Sequence, residues 1–224
     1  FPMFKHLGIV GAGTMGTGIA QVAALSKIDV LLYDINDTVL RQSLERVKAD
    51  LKKGLEKGKL TQEQVTEAVT RIHPRTALSD FHSCEFVIEA ALEDLRVKKD
   101  LFRHLESNTK TAAILATNTS SLSVTSIASA VRKPERVVGM HFFNPAHIMK
   151  LVEIVQGQNT SSETLRTAVE LARHFGKTPV LAKDTPGFIV NRIARPFYGE
   201  ALRLLGENTA THEQIDRIMR DIGG

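Results

Sequence analysis

Short apolar runs alternate with stretches of helical periodicity along most of the chain. The pattern predicts a mostly parallel β-sheet covered by helices, an α/β fold. Strands are expected at residues 6–10, 30–33, 86–89, 113–116, 137–141, 151–155 and 179–182. A first helix is expected over about 14–25, with Met15, Ile19, Val22 and Ala23 on one face. Between Thr38 and Ile72 the alternation stops. Leu40, Leu44, Val47, Leu51 and Leu55 keep a helical stripe, Gly54 and Gly58 mark a break, and Thr61 stands where it would cap a second helix through Val65 and Val69. Two long helices at this point, over about 38–72, predict a projecting helical pair rather than a standard crossover.

A second boundary falls at Lys183-Asp184-Thr185-Pro186-Gly187. Asp184 or Thr185 suits a helix cap, and Pro186 is tolerated in a first helical turn. From Phe188 onward, Ile189, Ile193, Phe197, Ala201, Leu204 and Leu205 follow helical spacing, and a further helix is expected over about 211–222. Both helices have apolar faces with little to bury them against. The expected division is therefore residues 1–185 as one α/β domain and 186–224 as the truncated, N-terminal part of a helical second domain.

Composition narrows the class. A chain of 224 residues can bury a substantial core. Its lone Cys84 has no internal disulfide partner and lies beside an apolar strand, as a thiol of a reducing compartment would. With no membrane-length apolar run and no secretory signal, a cytoplasmic protein without a membrane partner is expected. The formal charge of +4 is too small a bias to argue for nucleic acid, and the sequence shows no clustered metal ligands.

The chemistry begins at Gly8-Ile9-Val10-Gly11-Ala12-Gly13-Thr14-Met15-Gly16. An apolar strand runs into G-x-G-x-x-G, which opens a helix. In a dinucleotide fold Gly11 permits the tight turn, Gly13 lets backbone amides approach a pyrophosphate, and Gly16 lets the helix pack closely on the sheet. The helix N-terminus adds unpaired N–H groups and partial positive charge. Asp34 ends the next strand, about 20 residues on, where a carboxylate would hold the adenosine ribose hydroxyls. That carboxylate would repel a 2′-phosphate, and no Arg follows in Ile35-Asn36-Asp37, so NAD is favoured over NADP. An acid that merely caps the next helix better describes Asp37.

Three further segments place polar groups at strand ends. Ala116-Thr117-Asn118-Thr119-Ser120-Ser121 is crowded with small hydrogen-bonding side chains, and an ordinary turn explains it as well as a ligand edge does. His141 ends an apolar strand ahead of Phe142-Phe143-Asn144-Pro145; a satisfied core histidine and a catalytic one both fit. Glu153 is the one carboxylate in Leu151-Val152-Glu153-Ile154-Val155, where a buried acid is costly without a partner. If the two strands are neighbours, that partner is His141. Such a pair beside a nicotinamide suits alcohol oxidation, with His141 taking the hydroxyl proton and Glu153 supporting the ring. A structural ion pair remains the alternative.

With these residues in view, the chain closely resembles the L-3-hydroxyacyl-CoA dehydrogenase family, including its 3-hydroxybutyryl-CoA dehydrogenases. The resemblance covers nearly the whole chain through GAGTMGTGIA, ATNTSSL, GMHFFNP, MKLVE and DTPGFIVNR. It implies a Rossmann-type NAD-binding domain followed by an all-helical domain. It implies His141 as the catalytic histidine, Glu153 as its partner, Ser120 near substrate and nicotinamide, and Asn191 at the substrate's reacting end. For NAD it implies Gly11, Gly13, Thr14, Met15 and Gly16 of the glycine loop, with Asp34, Glu93, Lys98, Asn118 and Ser120. Such enzymes, found in fatty-acid metabolism and β-oxidation, reversibly oxidise an (S)-3-hydroxyacyl-CoA to the 3-oxoacyl-CoA. The family places part of the CoA contact on the helical pair, which makes Lys52, Lys53 and Lys57 candidates, and dimerises through its helical domain. Two other readings stay open: a crystallin-type hydroxy-acid or sugar-acid dehydrogenase without CoA, and a non-catalytic NAD-binding structural protein.

Overall fold

A computed structural model describes residues 4–222. The outermost residues of the two expected domain ranges, 1–3 and 223–224, lie outside it. Eight strands form one sheet in the order β3-β2-β1-β4-β5-β6-β7-β8. They are β1 (His6–Val10), β2 (Asp29–Tyr33), β3 (Ile72–Arg75), β4 (Phe86–Glu89), β5 (Ile114–Thr117), β6 (Val137–Phe142), β7 (Leu151–Gln156) and β8 (Thr178–Lys183). Among the described residues only the β6–β7 pair is antiparallel. The short link over residues 143–150 permits that return, whereas a parallel one needs a longer crossover.

The chain builds outward from β1 to β3, then restarts on the other side of β1 at β4. The C-terminal ends of β1 and β4 therefore flank a switch point, where open α/β sheets take their ligands. The helices α1 (Thr14–Leu25), α2 (Asp37–Glu56) and α3 (Gln62–Thr70) cover the β1–β3 side. The helices α4 (Leu95–Asn108), α5 (Val124–Ala128) and α6 (Ser162–His174) complete the layers. Leu7, Ile9, Ile19, Ile28, Leu32, Phe86 and Ile88 are fully enclosed in the core between sheet and helices. Burying a side chain of this size contributes about 1.5–3 kcal/mol.

Three expectations change here. β3 was absent from the sequence reading because Ile72-His73-Pro74-Arg75 has no apolar alternation and contains a proline. It survives as an edge strand beside β2, the position where a missing N–H does least harm. With β3 present, α2 and α3 are the long crossover from β2 to β3, and they pack on α1 rather than standing free. Leu40, Val47 and Leu51 are buried there. The cap of α2 is also one residue earlier than the acid reading placed it: the Asn36 side chain accepts from the amides of Thr38 and Val39.

After β8 the packing changes. The helices α7 (Val190–Gly206) and α8 (His212–Asp221) form where the periodicity predicts, yet neither contains a buried residue. Asp184 does not cap α7. Its carboxylate accepts from the Ser123 hydroxyl and the amides of Val124 and Thr125, so it caps α5 from across the sheet edge.

Candidate active site

Gly11 follows β1 at φ +97° and donates its N–H to the Tyr33 carbonyl, turning the chain sharply into α1. A Cβ on Gly16 would lie 1.7 Å from the Gly11 carbonyl oxygen, so helix and turn meet at a distance only glycine allows. Gly13, the N-cap of α1, faces open space; no side chain caps the helix and its first turn carries no acid. The amides at this helix start are left for an anion. Asp34 directly follows β2, and its Oδ2 accepts the Ala12 N–H at 2.9 Å. Glycine turn, free helix N-terminus and carboxylate thus form one unit of the shape a dinucleotide needs. Thr14 and Met15 begin the helix beside it, and Met15 reaches the adjoining cavity.

At the end of β4 a buried polar cluster braces the other side of the switch point. Glu89, fully buried, accepts from the Ala91 amide, the Thr117 hydroxyl and the Lys98 ammonium, the last at 2.5 Å. Lys98 lies 3.3 Å from Glu93 as well. Glu93 Oε1 accepts from the Thr119 hydroxyl and from both the amide and hydroxyl of Ser120. Burial works against its charge, but those hydrogen bonds and Lys98 together hold the Glu93 carboxyl below the usual range. Lys98 is not on the cavity wall: its ammonium is enclosed between two carboxylates, with a side chain only 1% exposed, and it braces Glu93. Asn118 ties β5 to β6, its side-chain oxygen accepting the Phe142 N–H at 2.9 Å.

His141 and Glu153 are register partners across β6 and β7. His141 Nδ1 lies 2.7 Å from Glu153 Oε2. Glu153 Oε1 accepts the amides of Ile189 and Val190, each at 2.9 Å, where α7 begins. The two amides occupy Oε1 and leave Oε2 as the acceptor facing the imidazole. That acceptor fixes the proton of His141 on Nδ1 and leaves Nε2 with a lone pair. Phe143 and Phe188 flank the imidazole at centroid distances of 4.5 and 5.8 Å. Lys177, whose ammonium is pushed below the usual lysine range by burial, donates to the carbonyls of Ala146 and Met149 and so pins the loop after His141.

A cavity of about 550 Å³ joins these parts. Its wall includes Met15, Glu93, Asn118, Ser120, His141, Phe143, Asn191 and Arg195. Asn191, on the first turn of α7, donates to the Ser120 carbonyl at 3.3 Å. The arrangement offers a base with a fixed tautomer, a ring of small hydrogen-bonding groups and an anion-ready helix end within one cleft. The family model for the NAD-binding domain of 3-hydroxyacyl-CoA dehydrogenase matches residues 6–185, and that for the C-terminal domain matches 187–224.

The chain belongs to the 3-hydroxyacyl-CoA dehydrogenase family. Among its family relatives, it is 46% identical to 3-hydroxyadipyl-CoA dehydrogenase of Escherichia coli K12 over 98% of this chain and 46% of that protein. It is 45% identical to a probable 3-hydroxybutyryl-CoA dehydrogenase of Deinococcus radiodurans, over 95% of this chain and 76% of the relative. The crystal structure of (S)-3-hydroxybutyryl-CoA dehydrogenase from Ralstonia eutropha superposes with a TM-score of 0.96 at 39% identity, covering 98% of this chain and 77% of that one. The chain thus spans about half the length of the first of these relatives and about three quarters of the others.

Within this family framework the structure brings together most of the residues singled out from sequence, and leaves some apart. Lys52, Lys53 and Lys57 lie exposed at the far end of α2 and are not part of the cavity wall; Lys53 pairs with Asp50 at 3.2 Å. Sequence reasoning missed Glu89, Lys177 and Arg195. Glu89 could have been found by the argument that found Glu153, since it too is a lone acid in an apolar strand. Arg195 carried no such signal, being one cation on an amphipathic helix.

Proposed function

We propose that this chain carries the NAD-binding and proton-transfer parts of an enzyme that reversibly oxidises an (S)-3-hydroxyacyl-CoA to the 3-oxoacyl-CoA. The observation that supports it best is the His141–Glu153 pair, opposed across two strands, with His141 on the wall of a cavity that Met15 of the first turn of α1 also lines. Bound NAD would supply the acceptor for the hydride from C3. His141 Nε2 takes the hydroxyl proton, Glu153 stabilises the imidazolium that results, and Ser120 and Asn191 hold the neighbouring oxygens. Gly11, Gly13, Thr14, Met15 and Gly16, with Asp34, Glu93 and Asn118, hold the cofactor, and Lys98 acts through Glu93.

Residues 1–185 are assigned to the cofactor domain and 186–224 to the start of a helical substrate domain. The apolar stripe of α7, with Ile193 and Leu202 each 69% exposed, supports a homodimer or domain contact on that face. No described helix is long and apolar enough to cross a membrane. We place the enzyme in the cytoplasm, with the single buried thiol as support. For Lys52, Lys53 and Lys57 as CoA contacts, the support is their shared charge on one end of α2; reversing Lys52 and Lys53 should raise the KM for CoA substrates at low salt.

The deciding test follows NADH oxidation with acetoacetyl-CoA on the full chain and on His141→Gln. The variant should keep NADH affinity and lose about 100-fold or more in turnover, because the proton carrier is gone. Near-normal turnover would remove His141 from the mechanism. Turnover of free acetoacetate or gulonate in preference to the thioester would favour the CoA-independent reading, and NADH binding without any turnover the structural one. The relatives' names span a four-carbon acyl group and a six-carbon group ending in a carboxylate. The acyl end is therefore where the substrate of this chain must be distinguished.

A further inference from the structure

The cavity wall carries one carboxylate and one guanidinium, with very different surroundings. Glu93 is met by Thr119, Ser120 and Lys98, so its charge is spent inside the protein. Arg195 has no ion-pair partner among the described residues, although Arg203 on the same helix pairs with Glu200 and Glu207. An arginine on the wall of an otherwise partnered cleft is a receptor for a planar anion, since its fork matches a carboxylate in two parallel hydrogen bonds.

Its position along the helix says which anion. Asn191 and Arg195 are four residues apart on α7 and both face the cavity. Residues at this spacing stack on one helix face, with Cβ atoms about 5–6 Å apart. Asn191 reaches the Ser120 carbonyl and so stands beside the reacting end, near His141. Arg195 is one turn further along, and a turn rises about 5.4 Å, the span of about four carbon–carbon bonds in an extended chain. An acyl chain held at its hydroxyl carbon by His141 brings its far end, a few carbons on, within reach of the guanidinium. The phosphates of CoA are separated from the thioester by the whole pantetheine arm, far more than one helical turn.

We propose that Arg195 receives a carboxylate at the distal end of the acyl chain, so that this site selects dicarboxylic 3-hydroxyacyl-CoA thioesters over neutral ones. The proposal rests on the hydroxyacyl-CoA reading above and adds the chemistry of the far end. Glu93 faces the same cleft, but its charge is compensated by Lys98, so the incoming carboxylate meets one free cation and no free acid on this wall. Because Arg195 is exposed, solvent screens the contact and the expected discrimination is moderate.

The test compares two thioesters of equal length, 3-hydroxyadipyl-CoA ending in a carboxylate and 3-hydroxyhexanoyl-CoA ending in a methyl group. The full chain with NAD should favour the first in kcat/KM. In Arg195→Leu the ratio between the two should fall about tenfold, the scale of one partly exposed charge-assisted contact, and mostly through KM for the dicarboxylic substrate. Arg195→Lys should retain more of the ratio than Arg195→Leu. A wild-type ratio of one or less, a ratio unchanged in Arg195→Leu, or equal losses on both substrates would overturn the proposal; equal losses would place Arg195 on the CoA moiety instead. Turnover of neither thioester by the wild type overturns the dehydrogenase reading itself, and is thereby told apart from failure of the Arg195 contact alone.

Discussion

The sheet domain and the helices after Gly187 are built from similar sequence material and reach opposite states. In the sheet domain most apolar positions of strands and helices close on one another, the edge strand β8 excepted, and residues such as Phe86 and Leu32 are fully enclosed. In α7 and α8 an equally regular apolar stripe finds no opposing layer among the described residues, and Phe197 and Tyr198 are 53% and 63% exposed. Amphipathic periodicity specifies that a helix forms and which face is apolar; it does not supply what covers that face. The cavity lies on the joint between these two regions. His141, Ser120 and Asn118 come from the sheet, Asn191 and Arg195 from α7, and Glu153 joins them by holding His141 with one oxygen and the start of α7 with the other.

The largest contrast should appear in a pair of identical truncations. Phe86→Ala removes a ring with no exposed surface and should cost about 3–5 kcal/mol of unfolding free energy, whereas Phe197→Ala should cost under about 1 kcal/mol. Chemical denaturation of both variants reads the difference directly. A cost for Phe197→Ala comparable to that of Phe86→Ala would mean that the α7 face is covered in solution, and would break the comparison.

Next comes Asp184, which sequence reasoning placed at the head of α7 and the structure places on α5. Ser123 and the amides of Val124 and Thr125 all donate to it, and these bonds hold its carboxyl below the usual aspartate range even though burial works against the charge. Asp184→Ala should cost about 1–2 kcal/mol, and the loss should register in the sheet domain rather than in α7. The sign of the pH effect follows from the lowered value. The stabilisation is complete above the unfolded aspartate range and fades as pH falls through the folded value, so Asp184→Asn should flatten the acid limb of the stability profile below about pH 4. An acid limb identical to wild type would assign the hydrogen bonds no net value.

These elements also show how much the sequence could reveal. Seven strands were visible as apolar runs; six of those runs are buried in the sheet, while Val180 and Leu181 of the edge strand β8 stay exposed. β3 was not, because an edge strand can tolerate the proline and polar residues that hide it. His141 and Glu153 were visible as polar residues in apolar runs, since a buried charge demands a partner. Their spacing could not show that Glu153 would also receive two amides from residues 36 and 37 positions later. Asp184 was recognisable as a cap; which helix it served depended on the sheet edge bringing α5 alongside. Lys98 was recognisable as part of the site, but only the fold enclosed it between Glu89 and Glu93.

Glu153→Gln probes the joint between the two regions. A glutamine has one acceptor oxygen, so it can satisfy the α7 amides or His141 but not both as the carboxylate does. Turnover should fall about tenfold with the pH–rate profile displaced, a weaker form of the His141 defect. A lower turnover with an unmoved profile would restrict Glu153 to anchoring α7, and an unchanged enzyme would remove the link altogether.

The smallest expected effect is the most controlled one, because the same cap occurs in both regions. Thr61 and Thr211 each begin a Thr-x-x-Gln box in which the threonine hydroxyl accepts the glutamine amide and the glutamine side chain accepts the threonine amide. The hydrogen bonds are alike; what differs is that α3 packs on α1 while α8 has no buried residue. Thr61→Ala should therefore lower the stability of the whole sheet domain by about 1 kcal/mol, since breaking the cap destabilises a helix that the core depends on. Thr211→Ala should leave global unfolding unchanged and show only as faster amide exchange over residues 212–221, because a local helix–coil equilibrium bears the loss. A global shift from Thr211→Ala as large as that from Thr61→Ala would show α8 folding as one cooperative unit with the sheet, and the division between the two regions would then be one of burial and not of stability.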